Sequence, residues 1–462
     1  MKRRNFGLLA GTSLANLIGI ASNSGKAQAA NASLLTTTLT PFGAERAGNA
    51  DGSIPAWTGG YTTLPPGYRP GDYVGELFPD EKPLLVINSS NVNQYAHRLS
   101  EGTAAMVREY GFSLQVYPTH RTHAAPQSVY DCIASNAVSA TLNPAGGRLG
   151  FNNAFGGIPF PIPDLSDPLA AGAQIVWNSN STWRGYAFTA KYESWSVSNG
   201  QLALAFKANN IQRFPFYQAN SLSSYNGILT QLAEPYTAPA NLVGQNLIVW
   251  NFSDPAQDQQ MAWELLNGEG RVRRAPEVSF DTPSGQANGI ANYDEYFGFN
   301  GSLERYDWKY LGKKEMYIPY NNNRLYGATA EEAHLSHFID PNLVRYELHR
   351  CHVVEATLHP DERNVDARRV LYIDEDTYRC GLVDVWDAHN NLIKTNIIYN
   401  CVWPGLPGTT HGQNVVHNLQ TGDYVSLGGV WNQKAGPGGY VYSDDLDSTL
   451  FDPQEMAANA QY

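Results

Sequence analysis

Three His-x-x-His pairs are the side chains of this sequence best suited to bind a metal ion. They are His120/His123, His334/His337 and His349/His352. Zinc takes three or four convergent ligands, usually including a carboxylate or a thiolate. None of the pairs contains an internal Glu of the kind found in zinc proteases, and residues 349 and 352 would point to opposite faces of a strand. Surface histidines are therefore the favoured interpretation, and neither a metal nor a cofactor is predicted.

Three carboxylate clusters could in principle supply acid–base chemistry. They are Asp294/Glu295, Asp374/Glu375/Asp376 and Asp444/Asp445/Asp447. A glycosidase needs two carboxylates that face each other across a cleft, whereas each of these clusters lies beside turn residues, which favours solvated turns. The sequence contains no nucleophile elbow, phosphate-binding loop or dinucleotide fingerprint. No catalytic residue is predicted, although a hydrolase that uses a His/carboxylate site stays open as an alternative.

Basic and sulfur-containing side chains offer two further sites. Arg271, Arg273 and Arg274 are close enough to hold an anion such as a lipid headgroup, or they could cover an acidic surface. Of the cysteines Cys132, Cys351, Cys380 and Cys401, the pair 380/401 falls near cross-strand positions and is the predicted disulfide. Four buried free thiols are the alternative.

A run of short strands from residue 345 to residue 399 organises the sequence. The runs near 346–358, 370–373, 378–386 and 392–399 are rich in β-branched and aromatic residues, and polar turns separate them. Such runs predict an antiparallel meander. Each run is only about half apolar, which predicts one solvated and one covered face.

The remaining elements alternate between helical and extended patterns. Helices are predicted at 91–110, 126–137, 254–267 and 328–332, and strands at 174–177, 186–198, 202–208, 247–252, 308–310 and 316–320. The Gly/Pro-rich segment 144–170 is interpreted as a wrapping loop, with the lip of an apolar cavity as the alternative. We see no composition shift that marks a domain boundary.

The first 29 residues have the pattern of an export signal. A basic start is followed by a mildly apolar core and by Ala27-Gln28-Ala29, a typical cleavage site. Arg3-Arg4 also fits a twin-arginine signal, so the ordinary secretory route and the twin-arginine route both stay open. Residues 30–462 are expected to form one large domain, soluble in the periplasm. The net charge of −12 and the absence of long basic runs argue against nucleic-acid binding.

Long motifs across the chain resemble the bacterial family called domain of unknown function 1329. They are LTPFGAERAGNADGSIPAWTGG (39–60), RVRRAPEVSFDTP (271–283), YDWKYLGKKEMYIPYN (306–321) and RYELHRCHVVEATL with YIDEDTY (345–378). The resemblance implies the fold of the periplasmic lipoprotein carriers (LolA/LolB-like): an α+β fold in which helices cover the concave face of a strongly curved antiparallel sheet, an incomplete barrel. It also implies export pumps of the inner membrane and outer-membrane proteins as partners. Apolar residues are more typical of the family at Cys351 and Cys380.

This resemblance gives the meander an expected role as the wall of a hydrophobic cavity. One parity of its strands is predicted to line that cavity: Tyr346, Leu348, Val354, Tyr372, Leu382, Trp386 and Ile398. The expected function is to carry or accept lipid or another hydrophobic compound between the two membranes. A scaffold that docks to an export pump through the loops 39–60 and 153–163 is a further alternative.

Overall fold

The computed structural model describes residues 32–143, 150–255, 260–268, 270–275, 282–284, 287–436 and 438–459. The predicted export signal lies outside these ranges. None of the helices in these ranges combines the length and the apolar character that a membrane-spanning helix requires.

Within the described ranges, sixteen strands form one curved sheet, and β3 and β4 form a separate two-stranded sheet. The strands are β1 Leu85–Ile87, β2 Leu114–Val116, β3 Thr141–Leu142, β4 Phe151–Asn152, β5 Ala187–Ser198, β6 Gln201–Arg213, β7 Ile228–Ala238, β8 Asn246–Phe252, β9 Met261–Leu265, β10 Val272–Arg274, β11 Tyr306–Pro319, β12 Tyr346–Leu358, β13 Arg368–Asp374, β14 Cys380–Trp386, β15 Leu392–Trp403, β16 Gly408–Asn418, β17 Tyr424–Gly429 and β18 Val441–Ser443.

The large sheet runs from β1 through β2 and β12–β17 to β5 and then to β10, with β11 beside β12 and β18 beside β5. Every pairing is antiparallel except the single contact between β2 and β12. Within the described chain β1 and β10 do not pair, so the sheet is curved but not closed, and the predicted α+β class with an open antiparallel sheet is confirmed. We call β11–β17 the meander half and β5–β10 the second half.

Short helices connect and cover these strands. The α-helices are α1 Val92–Tyr95, α2 Glu101–Glu109, α3 Gln127–Ser139, α4 Pro168–Ser181, α5 Pro215–Gln218, α6 Asn323–Tyr326, α7 Ala330–Ala333 and α8 Met456–Asn459. Turns of 3₁₀ helix lie at Ser33–Thr36, Ala96–Arg98, Tyr293–Glu295, Pro341–Leu343, Gln433–Ala435 and Ser448–Phe451.

Strands β12–β17 of the meander half are buried on both faces. All residues of β14 are buried, and so are nearly all of β12 and β15. On one face Met106 and Val107 of α2 pack with Leu382, and on the other Val176 of α4 packs with Val354. The four predicted strands are confirmed, but the predicted solvated face is wrong because helices distant in sequence cover it.

Two glycines let these helices approach the sheet. A Cβ on Gly102 of α2 would lie 2.3 Å from the Asp384 carboxylate, and a Cβ on Gly172 of α4 would lie 2.4 Å from the Trp308 carbonyl oxygen. Larger side chains at these positions would push each helix away from the strands that it covers.

Some predicted elements differ from those observed, and local capping explains two of them. The predicted helix 91–110 is divided, because the Ser100 side chain accepts a hydrogen bond from Thr103 N–H and begins a new helix. The predicted strand 174–177 lies inside α4, whose start is fixed by the Asp167 cap and by Pro168 at the first helical position. The predicted helix 254–267 contains β9 instead, because residues 261–265 pair with β8. Helix α3 is confirmed.

Candidate ligand cavity

A large cavity lies beside the second half of the sheet, at the C-terminal end of α4. Its volume is about 580 Å³, within the usual range for small-molecule sites. Its apolar wall is formed by Trp177 of α4 with Leu229, Leu232 and Phe252 of β7 and β8. Its polar lining groups include Asn180, Arg184, Gln212, Thr230, Asn251, Gln260 and Arg274.

The alternating pattern of the second half produces this mixed wall. Along β6 every second residue from Phe206 to Gln212 is buried, so one face points inward. Asn210 and Gln212 share this inner face with Leu232 of β7, and all three line cavity space. The outer face of the same strands packs against Phe451 near the C-terminus.

An adjoining space of about 100 Å³ contains a buried carboxyl group. Glu234 Oε1 accepts a hydrogen bond from Asn210 Nδ2 at 3.0 Å, and Oε2 accepts one from the Tyr236 hydroxyl at 3.3 Å. Burial raises the pKa of Glu234, and the hydrogen bonds from Asn210 and Tyr236 only partly offset that effect. This adjoining space therefore presents a carboxyl group that is protonated more readily than an exposed one.

A small recess beside the large cavity brings two buried arginines together. Arg184 and Arg379 both border this space of about 10 Å³, which is roughly the volume that one water molecule requires. Arg184 Nη2 donates to Asn180 O at 2.8 Å, and its guanidinium lies 5.3 Å from the ring centre of Phe214. Arg379 Nη2 donates to Trp183 O at 2.8 Å.

Burial lowers the pKa of both guanidinium groups. The pKa of Arg379 falls to about 9, first through burial and second through the positive charge of Arg184. The pKa of Arg184 is lowered by burial, and nearby tyrosine hydroxyls oppose this. No carboxylate of the described residues forms an ion pair with Arg184. The recess is therefore electropositive.

Two strained residues flank the recess. Among the described residues other than glycine, positive φ angles occur at several asparagines and at Phe297 (61°) and Tyr378 (52°). An aromatic side chain rarely adopts this conformation. Phe297 borders the large cavity, the adjoining space and the recess, and Tyr378 directly precedes Arg379. Strain that the surrounding structure maintains is typical of functional sites.

A buried ion cluster fixes the segment that carries Phe297. Asp294 Oδ2 lies 2.8 Å from Arg369 Nη2, and Glu295 Oε1 lies 3.0 Å from Lys394 Nζ. Both cations also pair with Asp366. The interpretation of Asp294 and Glu295 as a solvated turn is wrong, because these acids attach their 3₁₀ turn to the meander half.

A second buried cluster replaces another predicted solvated turn. Asp374, Glu375 and Asp376 are all buried. Asp376 accepts two hydrogen bonds from Arg121, and Glu375 pairs with Lys313 at 2.8 Å. The cluster Asp444/Asp445/Asp447, in contrast, is exposed as predicted.

Four of the six histidines in these pairs lie inside the protein, so their interpretation as surface residues is wrong. His123, His334, His349 and His352 are buried. His120 stacks on Phe78 and contacts Glu81 at 2.7 Å. His334 contacts Ala330 O and the Ser426 hydroxyl. Their buried positions reflect aromatic stacking and internal hydrogen bonds that cross long sequence separations.

One histidine does lie among carboxylates. His349, Asp374 and Asp376 could offer ligand atoms within 4.8 Å of one another. Both oxygens of Asp376 already accept from Arg121, and His349 Nε2 lies 3.3 Å from the Glu347 carboxylate. Burial opposes a charge on His349, but the hydrogen bond to Glu347 and the charge of Asp374 raise its pKa. This chemistry fits an internal ion-pair network.

The seven residues predicted to line one cavity wall do not share a face. The register pairs Leu382 with Ile397 and Tyr372 with Val353, which turns Ile398 and Val354 to the opposite side of the sheet. Tyr346, Leu348, Tyr372, Leu382 and Trp386 pack in the core with α2, and Val354 and Ile398 pack in the core with α4. Of the seven, Ile398 borders the arginine recess.

The predicted headgroup arginines and the predicted disulfide have different outcomes. Arg274 borders the large cavity, whereas Arg273 pairs with Glu264 at 2.7 Å on the neighbouring strand, and Arg271 is exposed.

All four cysteines are free thiols. The predicted Cys380–Cys401 bond is not formed, because the register between β14 and β15 offsets these residues.

Both loops proposed as docking surfaces bury some of their apolar side chains in the protein. In the segment 39–60, Phe42 and Ile54 are buried, and the segment 153–163 contributes Ile158 and Phe160 to the core. The favoured interpretation of the second segment as a wrapping loop agrees with this packing.

Sequence reasoning did not identify Arg184, Glu234, Phe297 or Arg379 as site residues. A charged residue within an otherwise uncharged strand signals Glu234. Positive φ at Phe297 has no such signal, since neither glycine nor asparagine marks the position.

Comparison with known proteins places the chain in a family. The family described as "Protein of unknown function (DUF1329)" matches residues 86–457. An uncharacterized protein of Pseudomonas aeruginosa is 34% identical over 411 residues, which cover 86% of this chain and 87% of that protein.

Three solved structures are among the similar chains. A DUF1329 family protein from Desulfovibrio piger is 15% identical with a TM-score of 0.42, and covers 63% of this chain and 99% of its own. A lipoprotein-sorting protein domain from Vibrio parahaemolyticus is 12% identical with a TM-score of 0.43, at the same coverage. A LolA superfamily protein from Nitrosomonas europaea is 11% identical with a TM-score of 0.35, and covers 61% and 97%.

Proposed function

Since the chain belongs to the DUF1329 family of proteins of unknown function, we propose a function from its cavity: it carries or accepts an amphipathic, lipid-like compound in the periplasm. The observation that supports this proposal is the space of about 580 Å³ between α4 and strands β6–β10. Its lining combines apolar side chains with polar groups, which suits a ligand with an apolar chain and a polar end.

In this proposal binding is reversible and non-covalent. The acidic net charge of the chain favours solubility of the loaded protein. An export pump of the inner membrane and an outer-membrane protein are the proposed partners, which would deliver and receive the compound. One domain, residues 30–462, would perform the whole task.

Native mass spectrometry of protein recovered gently from periplasmic material tests the proposal. We expect adducts that solvent extraction releases as a hydrophobic compound. Protein that is uniformly ligand-free, and that also fails to take up an added apolar fluorescent probe such as N-phenyl-1-naphthylamine, would contradict a carrier function.

Filling the cavity locates the binding site. Leu232 borders both the large cavity and the adjoining space, so Leu232→Trp should occupy ligand volume and weaken probe binding at least tenfold. Leu165 is an exposed residue outside the cavity lining, so Leu165→Trp is the matched control and should bind normally. Unchanged binding by a folded Leu232→Trp variant would place the site elsewhere.

A further inference from the structure

The arginine recess has the features of a site for a negatively charged group. Arg184 is 8% exposed and Arg379 is 4% exposed, yet both border open space. A buried cation is costly unless an anion or hydrogen bonds compensate its charge. For Arg184 the described residues supply one carbonyl and two aromatic rings, those of Phe214 and Phe297.

The surrounding side chains hold the guanidinium of Arg184 toward the cavity. The hydrogen bond to Asn180 O fixes one end of the group, and the rings of Phe214 and Phe297 lie 5.3 and 5.9 Å from its centre. Arg184, Asn180 and Phe297 border the large cavity as well as the recess. A ligand in the large cavity can therefore extend from that cavity into the recess.

The size of the recess indicates which part of a ligand would enter it. A space of about 10 Å³ admits one oxygen-sized atom between the two arginines. Asn300 also borders both spaces and can donate from its amide. A carboxylate or a phosphate ester has terminal oxygens of this size, and arginine binds both groups well. Trp177, Leu229 and Leu232 provide apolar surface in the large cavity that adjoins the recess.

We infer that the recess binds the anionic headgroup, a carboxylate or a phosphate ester, of the compound that the cavity carries, with one headgroup oxygen between Arg184 and Arg379. This inference rests on the proposed carrier function and makes it specific. It assigns headgroup binding to Arg184 and Arg379 in place of the exposed arginines Arg271 and Arg273.

Ligands with one chain length and different headgroups test the inference on the full mature protein. Dodecanoate, dodecyl phosphate, dodecanol and dodecyltrimethylammonium would compete with the fluorescent probe. We expect one or both anions to bind at least tenfold more tightly than dodecanol, and the cation to bind least. The stronger anion identifies the headgroup chemistry. Equal binding of the anions and dodecanol would overturn the inference and leave the carrier function standing, whereas failure of all four ligands and of the probe would contradict the carrier function itself.

Substitutions test whether the anion binds at Arg184 in the recess or at the exposed Arg273. Arg184→Gln should weaken anion binding at least tenfold and change dodecanol binding less than twofold, and Arg184→Lys should give an intermediate loss. Arg273→Gln removes an exposed charge and should alter neither. An equal loss for anions and dodecanol in a folded Arg184→Gln variant would overturn the inference. If Arg184→Gln does not fold, Arg184→Lys and the ligand series on the native protein decide it.

Inorganic phosphate distinguishes a headgroup from a free ion. We expect millimolar phosphate to displace neither dodecanoate nor dodecyl phosphate, because it lacks the apolar chain. Efficient displacement by phosphate alone would overturn the assignment to a headgroup.

Discussion

At the scale of single residues, buried histidines connect the stability of the protein to pH. His123 is 2% exposed, and its Nδ1 lies 3.2 Å from the Thr409 hydroxyl. Burial, followed by the positive charge of Arg379, lowers the pKa of His123 to about 3. His352 behaves similarly, with burial as the main cause. In both cases the folded protein favours the neutral ring.

Replacing His123 should make the protein less sensitive to acid. Below the ordinary histidine pKa of about 6.5, the unfolded chain binds a proton that folded His123 does not, so stability falls as the pH falls from 6.5 toward 3. Between pH 7 and pH 5, His123 should lower the free energy of unfolding by about 2 kcal/mol. The His123→Gln variant should therefore lose about 2 kcal/mol less stability over this range than the native protein. Urea unfolding at both pH values measures the difference.

An exposed histidine provides the control for this experiment. His389 lies in the turn after β14, and His389→Gln should show the same loss of stability between pH 7 and pH 5 as the native protein. An equal loss in His123→Gln would contradict a neutral, buried His123.

The N-terminal segment is attached by another buried residue, Arg121. Its guanidinium donates to both Asp376 oxygens, at 2.8 and 2.6 Å, and to the carbonyl oxygens of Glu45, Arg46 and Pro55. Arg121→Met should lower the free energy of unfolding by about 3–5 kcal/mol, because it leaves Asp376 buried without its cation. It should also expose the chain after Arg46 to trypsin.

Limited digestion and urea unfolding test this attachment together. Arg98 offers a contrast, since its partners Asp51 and Glu315 lie 3.9 and 3.6 Å away near the surface. Arg98→Met should cost less than about 1 kcal/mol and should leave trypsin cleavage at Arg46 slow. Equal effects of the two variants would contradict the assigned role of Arg121.

At the scale of elements, the contact between α4 and β11 depends on a missing side chain. A Cβ on Gly172 would meet the Trp308 carbonyl oxygen at 2.4 Å. Gly172→Ala should therefore lower the free energy of unfolding by about 1–3 kcal/mol, through displacement of α4. Helix propensity alone would favour alanine by about 1 kcal/mol, so a stabilised variant in thermal unfolding would contradict this close contact.

The sequence allowed the meander strands to be predicted, because their signals are local. β-branched runs and polar turns predicted strands close to β12–β15. Solvent exposure depended on contacts that are distant in sequence: α2 and α4 cover the two faces of the meander. The alternating, half-exposed pattern expected there is instead clearest in β6, within the strands that border the cavity.

The candidate site was less predictable than the strands, for physical reasons. Arg184 follows α4 and Arg379 precedes β14, and only the folded sheet brings them to one recess. The acids Asp294 and Glu295 have the local sequence of an exposed turn, and their burial depends on cations contributed by β13 and β15. The seven predicted wall residues failed as a group because a single register step separates opposite faces of a strand.

At the scale of the whole molecule, the two halves of the sheet should differ in their dynamics and in their response to ligand. The strands β13–β15 lie inside the sheet order and are covered on both faces. The strands β7–β10 approach an edge of the sheet and border open space. Buried strands with neighbours on both sides are typically the last to open. Hydrogen exchange should therefore be slowest in β13–β15 of the ligand-free protein.

Added dodecanoate should slow hydrogen exchange in β6–β8 and in residues 297–304, which border the cavity, because a ligand that binds the closed form reduces local opening. Exchange in β13–β15 should change little. Leu232→Trp, which fills the cavity, should remove the response, while Leu165→Trp should retain it. If the ligand slowed exchange in β12–β15 instead, it would bind at the meander face that the sequence predicted. That result would contradict a site between α4 and the second half of the sheet.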